Sequence, residues 1–326
     1  MISSKFDFKV FKNKKVLLLT HEHADLDAFC SAAIFNKILN QNKIKSVVAV
    51  PSHINEQTTD FAKNYGVDFV RKPIIINYDY LFLFDLNDFH QLGGIEEQFA
   101  NLDLNFIKNN VFVFDHHDTK IKLKIKKENL FINKNAFSTT QILYDLFSNL
   151  FDRDMFFYCA LGLIEDTGLF LTGSAKFFEI FSICLSNSKK SYSELLYVAK
   201  PKSNRGEKIA FLKSLQTLKV YKIGEIVVVS ARVSFFQSVI ATKLLEFADI
   251  TLVAGKENKL VNMSLRAESY FKEKNNFNLI NDLLTPLQKE IGGVIGGHSG
   301  AAQWKGNFNE EKLIEKSIFI LRKKFN

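Results

Sequence analysis

Three uninterrupted apolar runs mark the first third of the chain, and each ends on acids or histidines. Val16-Leu17-Leu18-Leu19 leads into Thr20-His21-Glu22-His23-Ala24-Asp25-Leu26-Asp27-Ala28, Tyr80-Leu81-Phe82-Leu83-Phe84 ends in Asp85, and Val111-Phe112-Val113-Phe114 ends in Asp115-His116-His117. Runs that do not alternate with polar residues predict strands buried on both faces, as in a parallel sheet. Between them, Asp27 to Leu39 carries a broad apolar stripe at helical spacing, Glu56 to Tyr65 reads as a helix closed by Gly66, and another helix is predicted after Gly93-Gly94. Shorter strands are predicted at Ser46 to Val50, stopped by Pro51, and at Val67 to Val70. This alternation predicts βαβ units, hence an α/β fold with a parallel sheet.

From Ser138 the pattern turns helical. Ser138 or Thr139 is placed to cap a helix through Leu150, with further helices at Asp154 to Ile164 and Lys176 to Leu185. The polar run Ser186-Asn187-Ser188-Lys189-Lys190-Ser191, continuing past Pro201 to Asn204, predicts a linker. Alternation then resumes: a helix over Glu207 to Leu218, a strand at Glu225 to Ala231, a helix near Val239 to Phe247, and strands at Ile250 to Ala254 and Leu260 to Arg266. The expected organisation is a parallel-sheet domain over 1–186, a linker over 187–204 and a smaller α/β domain over 205–326. Six of the 15 glycines fall between Gly292 and Gly306, around the embedded His298. Glycines this dense let backbone N–H groups approach an anion, and Ala301-Ala302-Gln303 after them reads as the start of a helix.

Length and composition narrow the class. A chain of 326 residues, 47% hydrophobic, can bury two cores. Its longest apolar segment, Met155 to Ile164, is half of the roughly 20 residues that a membrane-spanning helix needs. Asp7 falls where a signal peptide has its apolar core, which predicts a cytoplasmic protein. Cys30, Cys159 and Cys184 are widely separated, odd in number and set among apolar residues, as reduced core thiols are. The net charge of +8 suits an anionic partner, although the 33 phenylalanines and abundant Lys, Asn and Ile are also what biased codon usage produces. The basic run Lys120-Ile121-Lys122-Leu123-Lys124-Ile125-Lys126-Lys127 begins in strict alternation and reads as a strand with one solvated face, with a nucleic-acid-binding stripe as the alternative.

The chemistry concentrates at the ends of the buried strands, where open α/β sheets bind ligands. His21, Asp25, Asp27, Asp85, Asp115, His116, His117 and Asp166 gathered there form a carboxylate cluster that opposes its own joint ionisation. Cations resolve that conflict. Oxygen and imidazole donors without thiolate suit Mn²⁺ or Mg²⁺, and this many donors suit two ions about 3.5–4 Å apart that share a carboxylate, an arrangement for phosphoryl hydrolysis without a protein nucleophile.

These residues resemble a known family. His21-x-x-x-Asp25-x-Asp27-Ala28, Asp85, Asp115-His116-His117 and Asp166-Thr167-Gly168-x-Phe170 are similar to the four motifs of the DHH phosphoesterases. Gly292-Gly293-x-x-Gly296-Gly297-His298-x-x-Ala301-Ala302 resembles the glycine-rich motif of the associated C-terminal DHHA1 domain. The two-domain length is most similar to the nano-RNase and pAp phosphatase branch, rather than to the larger RecJ exonucleases. The resemblance implies one ion on His21, Asp25 and Asp85, and a second on Asp27, Asp85, His116 and Asp166, with Asp85 bridging. It implies that His117 sits by the scissile phosphate and that Asp115 orients a neighbouring histidine. It implies that Arg266, Gly296, Gly297, His298 and Ser299 hold substrate. Mn²⁺ is the expected ion and Mg²⁺ the alternative. The implied substrates are short RNA or DNA oligonucleotides, pAp, or cyclic and linear dinucleotides. RecJ-type exonuclease action or a non-catalytic nucleic-acid-binding scaffold are the alternatives. A family-type inorganic pyrophosphatase is disfavoured by the glycine-rich ending. A homodimer is compatible with this reading, and no membrane is implied.

Other polar residues read more plainly. His23 is not required by the motif and reads as a solvated imidazole or one that supports a ligand. His53 and His90 read as surface residues, and Asp88 and Glu165 as solvated or helix-capping. Arg266 could instead pair with Glu268. Cys30 and Gln303 stand where the family often has glycine.

Overall fold

Every residue of β1 (Val16–Thr20) is buried, because the strand lies inside a sheet with a core on each face. β1 pairs in parallel with β2 (Ser46–Val50) on one side and β4 (Tyr80–Phe84) on the other; β3 (Val70–Arg71) extends the sheet beyond β2, and β5 (Val111–Asp115) and β6 (Leu130–Ile132) extend it beyond β4. The strand order is β3-β2-β1-β4-β5-β6. It reverses direction between β1 and β4, and such a reversal opens a crevice at the carboxyl ends of the strands. Alternate side chains serve the two cores: Val16, Leu18, Phe82, Phe84 and Phe114 on one face, Leu17, Leu19, Leu81, Leu83 and Val113 on the other.

The chain is described here by a computed structural model covering residues 6–86, 88–118, 124–200, 205–257 and 260–325. It divides into two units, Met1–Lys202 and Ser203–Asn326. In the first, α1 (Leu26–Gln41) and α2 (Glu56–Asn64) follow β1 and β2, and α3 (Glu96–Ala100) and α4 (Leu104–Asn110) precede β5. Then come α5 (Thr139–Phe147), α6 (Arg153–Asp166), α7 (Ala175–Ser188) and α8 (Tyr192–Ala199).

The second unit runs α9 (Arg205–Gln216), β7 (Lys219–Ile223), β8 (Ile226–Arg232), α10 (Gln237–Leu244), β9 (Ile250–Glu257), β10 (Leu260–Ala267), α11 (Ser269–Asn275), a π-helical turn (Leu279–Leu284), α12 (Thr285–Ile291), β11 (Val294–Gly297), β12 (Ala301–Gly306) and α13 (Glu310–Phe325). Its sheet, β11-β12-β10-β9-β8-β7, is antiparallel except where α10 carries the chain from β8 to a parallel β9. The predicted α/β class and parallel first sheet are what the structure has. Among the described residues no helix is long and apolar enough to cross a membrane.

Several local expectations fail for identifiable reasons. Residues 192–199, expected within a linker, form α8, opened by a Ser191–Glu194 capping box with Leu195 fully buried against the first core. Residues 201–204 of that stretch lie outside the described residues. The strand predicted at 67–70 shrinks to Val70–Arg71, because Val67 and Phe69 pack against the core as irregular backbone. Ala301-Ala302-Gln303 opens β12 rather than a helix; Ala302 and Trp304 bury on one face while Gln303 and Lys305 face out, a period of two that outweighs the helix propensity of alanine. Residues 120–123 of the basic alternating run also lie outside the described residues. All three cysteines are buried thiols, as expected.

Phe82 is fully buried between the rings of Phe11, Phe35 and Phe112. Phe82→Ala is expected to destabilise the first unit by about 3–5 kcal/mol, read as a lowered urea midpoint.

Candidate metal centre

Hard ligands gather at the carboxyl edge of the first sheet because several segments turn there. His21 follows β1, Asp85 follows β4 in a left-handed backbone conformation with φ 58°, and Asp115 ends β5 with His116 and His117 next. Asp25 caps α1, its side chain accepting from the N–H of Ala28 at 3.0 Å. Asp27 stands in the first turn of α1, and Asp166 ends α6.

His21 Nε2 lies 3.6 Å from Asp25 Oδ2 and 3.7 Å from Asp85 Oδ2. His116 Nε2 lies 3.4 Å from Asp85 Oδ1 and 3.2 Å from Asp166 Oδ2. Three sets, His21/Asp25/Asp85, Asp27/His116/Asp166 and Asp85/His116/His117, each offer donor atoms within 4.8 Å of one another. Asp85 belongs to two of the three. His117 is the least suited as a ligand, because the Nδ1 that lies 3.5 Å from Asp85 Oδ1 is also 2.8 Å from Asp115 Oδ1. Asp115 is fully buried and the His117 ring is 46% exposed, so the ring is anchored at one nitrogen and open at the other.

Electrostatics supply the test of whether a cation fits. Burial, with Asp27 and Asp25 nearby, pushes the Asp85 carboxyl up to about 7. Burial, with Asp27, Asp85 and Asp25, pushes Asp166 far above the carboxylate range. Burial also raises Asp27. Asp166 Oδ2 is buried with no hydrogen-bond partner, although His116 Nε2 is 3.2 Å away. A cluster that suppresses its own ionisation and keeps a buried lone pair aimed inward is completed by positive charge. Oxygen and imidazole donors fit divalent cations of the Mg²⁺ or Mn²⁺ type.

The protein orients these ligands with groups that the motifs do not contain. The N–H groups of Thr139 and Thr140, at the start of α5, donate to Asp27 at 2.7 and 3.0 Å, and Thr139 Oγ1 donates to Asp85 at 3.0 Å. Glu165 Oε2 accepts from the N–H of Asp27 at 3.1 Å; burial beside Asp25 and Asp27 raises its carboxyl to about 8. The helix-capping reading of Glu165 therefore holds, with α1 as the helix. Gly162 is the neglected residue, since a Cβ there would collide with the Asp27 carboxylate and the Thr140 side chain. A lone glycine inside the apolar helical run from Met155 to Ile164 was its sequence signal. His21 is steadied by its own loop: Nδ1 lies 2.6 Å from the Glu22 carbonyl, and the Glu22 carboxylate is hydrogen-bonded to Ser52 Oγ.

The remaining polar residues separate from the cluster. Exposed His23 and His53 stack with ring centroids 5.4 Å apart and planes 9° apart. His90 pairs with Glu96 at 2.6 Å, and Asp88 caps the turn Phe89–Ile95. In the second unit Arg266 does not pair with Glu268, which caps α11. Its guanidinium donates to the Leu265 carbonyl at 2.8 Å and to Ser238 Oγ at 2.6 Å. It lines a shallow pocket of about 190 Å³ with Ser238, Ser264, Gly296, Gly297 and Gln303. Gly297, at φ 119°, has its Cα hydrogens facing Ala302 so closely that a Cβ would overlap that backbone. His298 and Ser299 form the turn between β11 and β12, with the His298 N–H donating to the Ala301 carbonyl at 2.8 Å.

A parallel sheet that presents carboxylates and imidazoles at its switch point has the donors and the placement that metal-dependent phosphoesterases use. Residues 15–163 match the DHH family, N-terminal domain, so the chain carries a DHH-family domain. An uncharacterized protein of Methanocaldococcus jannaschii is 23% identical over 328 residues, spanning 96% of this chain and 95% of that protein. The crystal structure of an exopolyphosphatase-related protein from Bacteroides fragilis superimposes with a TM-score of 0.64 at 15% identity, covering 97% of this chain and 94% of that one. That likeness shows a shared fold.

The metal-free centre has a pH signature. Asp85 and Glu165 hold their protons more tightly folded than unfolded, so their contribution to stability falls as pH rises from the ordinary carboxylate range through about 7 and about 8. Burial opposes protonation of His21, but Asp25, the Glu22 carbonyl and Asp85 outweigh it and raise the ring from 6.5 to about 9, so its contribution is also lost as pH rises through that window. Asp25, whose pKa is lowered, acts only at more acid pH. In chelator the melting temperature is therefore expected to drop by several degrees between pH 5 and 9, and Mn²⁺ or Mg²⁺ is expected to restore it at pH 8. A flat profile without any cation effect would contradict the cluster's role.

Proposed function

We propose that this chain is a Mn²⁺-dependent phosphodiesterase or phosphatase that hydrolyses short oligonucleotides to mononucleotides, with pAp and cyclic or linear dinucleotides as the competing substrates. The observation that carries the reading is the position of Asp85 at the sheet's switch point, with Oδ2 3.7 Å from His21 Nε2 and Oδ1 3.4 Å from His116 Nε2, so that its two oxygens face the two groups of donors. His21, Asp25 and Asp85 would hold one ion, and Asp27, Asp85, His116 and Asp166 the other. When bound, such a pair supplies an activated water and neutralises charge at phosphorus.

The chain's own residues do the rest. Asp115 holds His117 through Nδ1 at 2.8 Å, fixing the tautomer and leaving Nε2 to hydrogen-bond the phosphate or protonate the leaving oxygen. Thr139 and Thr140 hold Asp27 through their N–H groups, and the Thr139 hydroxyl holds Asp85. In the second unit, read as a DHHA1 domain, Arg266 presents a fork matched to a phosphate beside Gly296 and Gly297. Mn²⁺ is proposed over Mg²⁺ because two histidines share the cluster.

Asp85→Asn is expected to be the most damaging single change, abolishing turnover of a dinucleotide and lowering bound metal at both positions. Full activity in that variant would sink the two-ion assignment. His117→Ala is expected to lower turnover with metal content intact, whereas His116→Ala loses one equivalent; elemental analysis of the two purified variants decides between them.

Arg266→Ala is expected to lower kcat/KM for dinucleotides or pAp by roughly tenfold to a hundredfold, the loss of a charged hydrogen bond of about 1.5–3 kcal/mol. It is expected to leave a minimal aryl phosphodiester almost unaffected. Equal losses on both substrates would place Arg266 in the fold rather than in substrate recognition.

A further inference from the structure

The amino edge of the first sheet, opposite the metal centre, is lined with lysines. Lys14 and Lys15 precede β1, Lys43 and Lys45 precede β2, and Asn77 and Tyr78 precede β4. With Asn13, Ser46 and Val47 they line one pocket of about 610 Å³, within the range of nucleotide-sized sites. All four lysines are exposed, and among the described residues none has a carboxylate partner within 4 Å.

Two local features draw lysines here without any ligand, and neither is sufficient. The carboxyl end of α1 contributes roughly half a negative charge. Asp79 contributes one more, with its carboxylate accepting the Lys15 N–H at 2.7 Å. Four lysines lining one cavity leave a surplus of more than two positive charges over these two. Lys43 also sits in left-handed backbone at φ 59°, a conformation that residues other than glycine and asparagine rarely adopt. Crowded like charges repel, and an anion relieves them.

We propose that this pocket is a second phosphate-binding site, separate from the metal centre, that takes the phosphates of a nucleotide or of a single-stranded nucleic acid. The ammonium groups neutralise phosphate oxygens, Asn13 and Asn77 offer amide donors, and the half-buried Tyr78 ring offers a face for a base. β1 separates the pocket from His21 by about 16 Å at 3.3 Å per residue, so a phosphate held here is not the one at the metal centre. The site anchors a polyanion rather than cleaving it. It stands whether or not the hydrolytic reading does, because its test excludes hydrolysis.

The experiment uses the full chain in chelator, with binding of a fluorescein-labelled dodecamer of RNA read by anisotropy at several salt concentrations, and ATP titrated calorimetrically. The variant Lys14→Gln/Lys15→Gln/Lys43→Gln/Lys45→Gln is compared with a control carrying Lys63→Gln/Lys108→Gln/Lys176→Gln/Lys189→Gln, four exposed lysines of the same unit. Both lower the net charge equally from +8. The pocket variant is expected to bind at least tenfold more weakly and to lose about 2 to 3 from the salt slope, at roughly 0.7 per phosphate contact; the control is expected to change less than threefold. Loss for RNA alone assigns the site to a strand, and loss for ATP as well assigns it to a nucleotide. Equal losses in the two variants, or none in either, overturn the proposal. As a measurement independent of substitution, bound RNA is expected to protect Lys14, Lys15, Lys43 and Lys45 from acetylation more than the four control lysines. Uniform protection would likewise overturn it.

Discussion

The structure depends on one electrostatic conflict: Asp25, Asp27, Asp85 and Asp166 converge with Glu165 where the first sheet reverses its strand order. In water these carboxylates ionise independently. Burial and the neighbouring carboxylates raise the pKa of Asp27, Asp85, Asp166 and Glu165, while the His21 partner keeps that of Asp25 low, and the folded protein keeps protons that an unfolded chain would release. The fold maintains this arrangement because β1, β4 and β5 are buried on both faces and have no freedom to splay.

Backbone amides carry part of that load. The two N–H groups opening α5 receive the Asp27 carboxylate, and the N–H of Asp27, in the first turn of α1, reaches Glu165. Helix amino ends carry partial positive charge, so these contacts stabilise anions before any cation arrives. They also tie the ligands to α1, α5 and α6, whose packing includes the bare Cα of Gly162 against Asp27. Stability of the first unit and the geometry of the carboxylate cluster thus draw on the same contacts.

Charge of the two signs is segregated along β1. Its carboxyl end faces acids and imidazoles, and its amino end opens on lysines around a cavity. A sheet about 16 Å long, at 3.3 Å per residue, keeps the two apart. The second unit carries its own cationic group, with Arg266 fixed by Ser238 beside the glycines of β11.

The sequence by itself determined the parallel sheet and which acids and histidines stand at its carboxyl edge. Apolar runs of four or five residues, too short for a buried helix such as Met155 to Ile164, fit strands covered on both faces, and hard ligands at the ends of three such runs share an edge if those strands are parallel. Tertiary structure decided the rest. Whether Ala301-Ala302-Gln303 is helix or strand depended on a partner strand, β10, far along the chain. Whether 192–199 is linker or helix depended on a core that could bury Leu195. Asp27's contacts with Thr139, Thr140 and Gly162 join residues more than a hundred positions apart, and local periodicity carries no information at that range. The lysine pocket has the same origin: parallel pairing sets the starts of β1, β2 and β4 side by side, and with them Lys14, Lys43 and Tyr78.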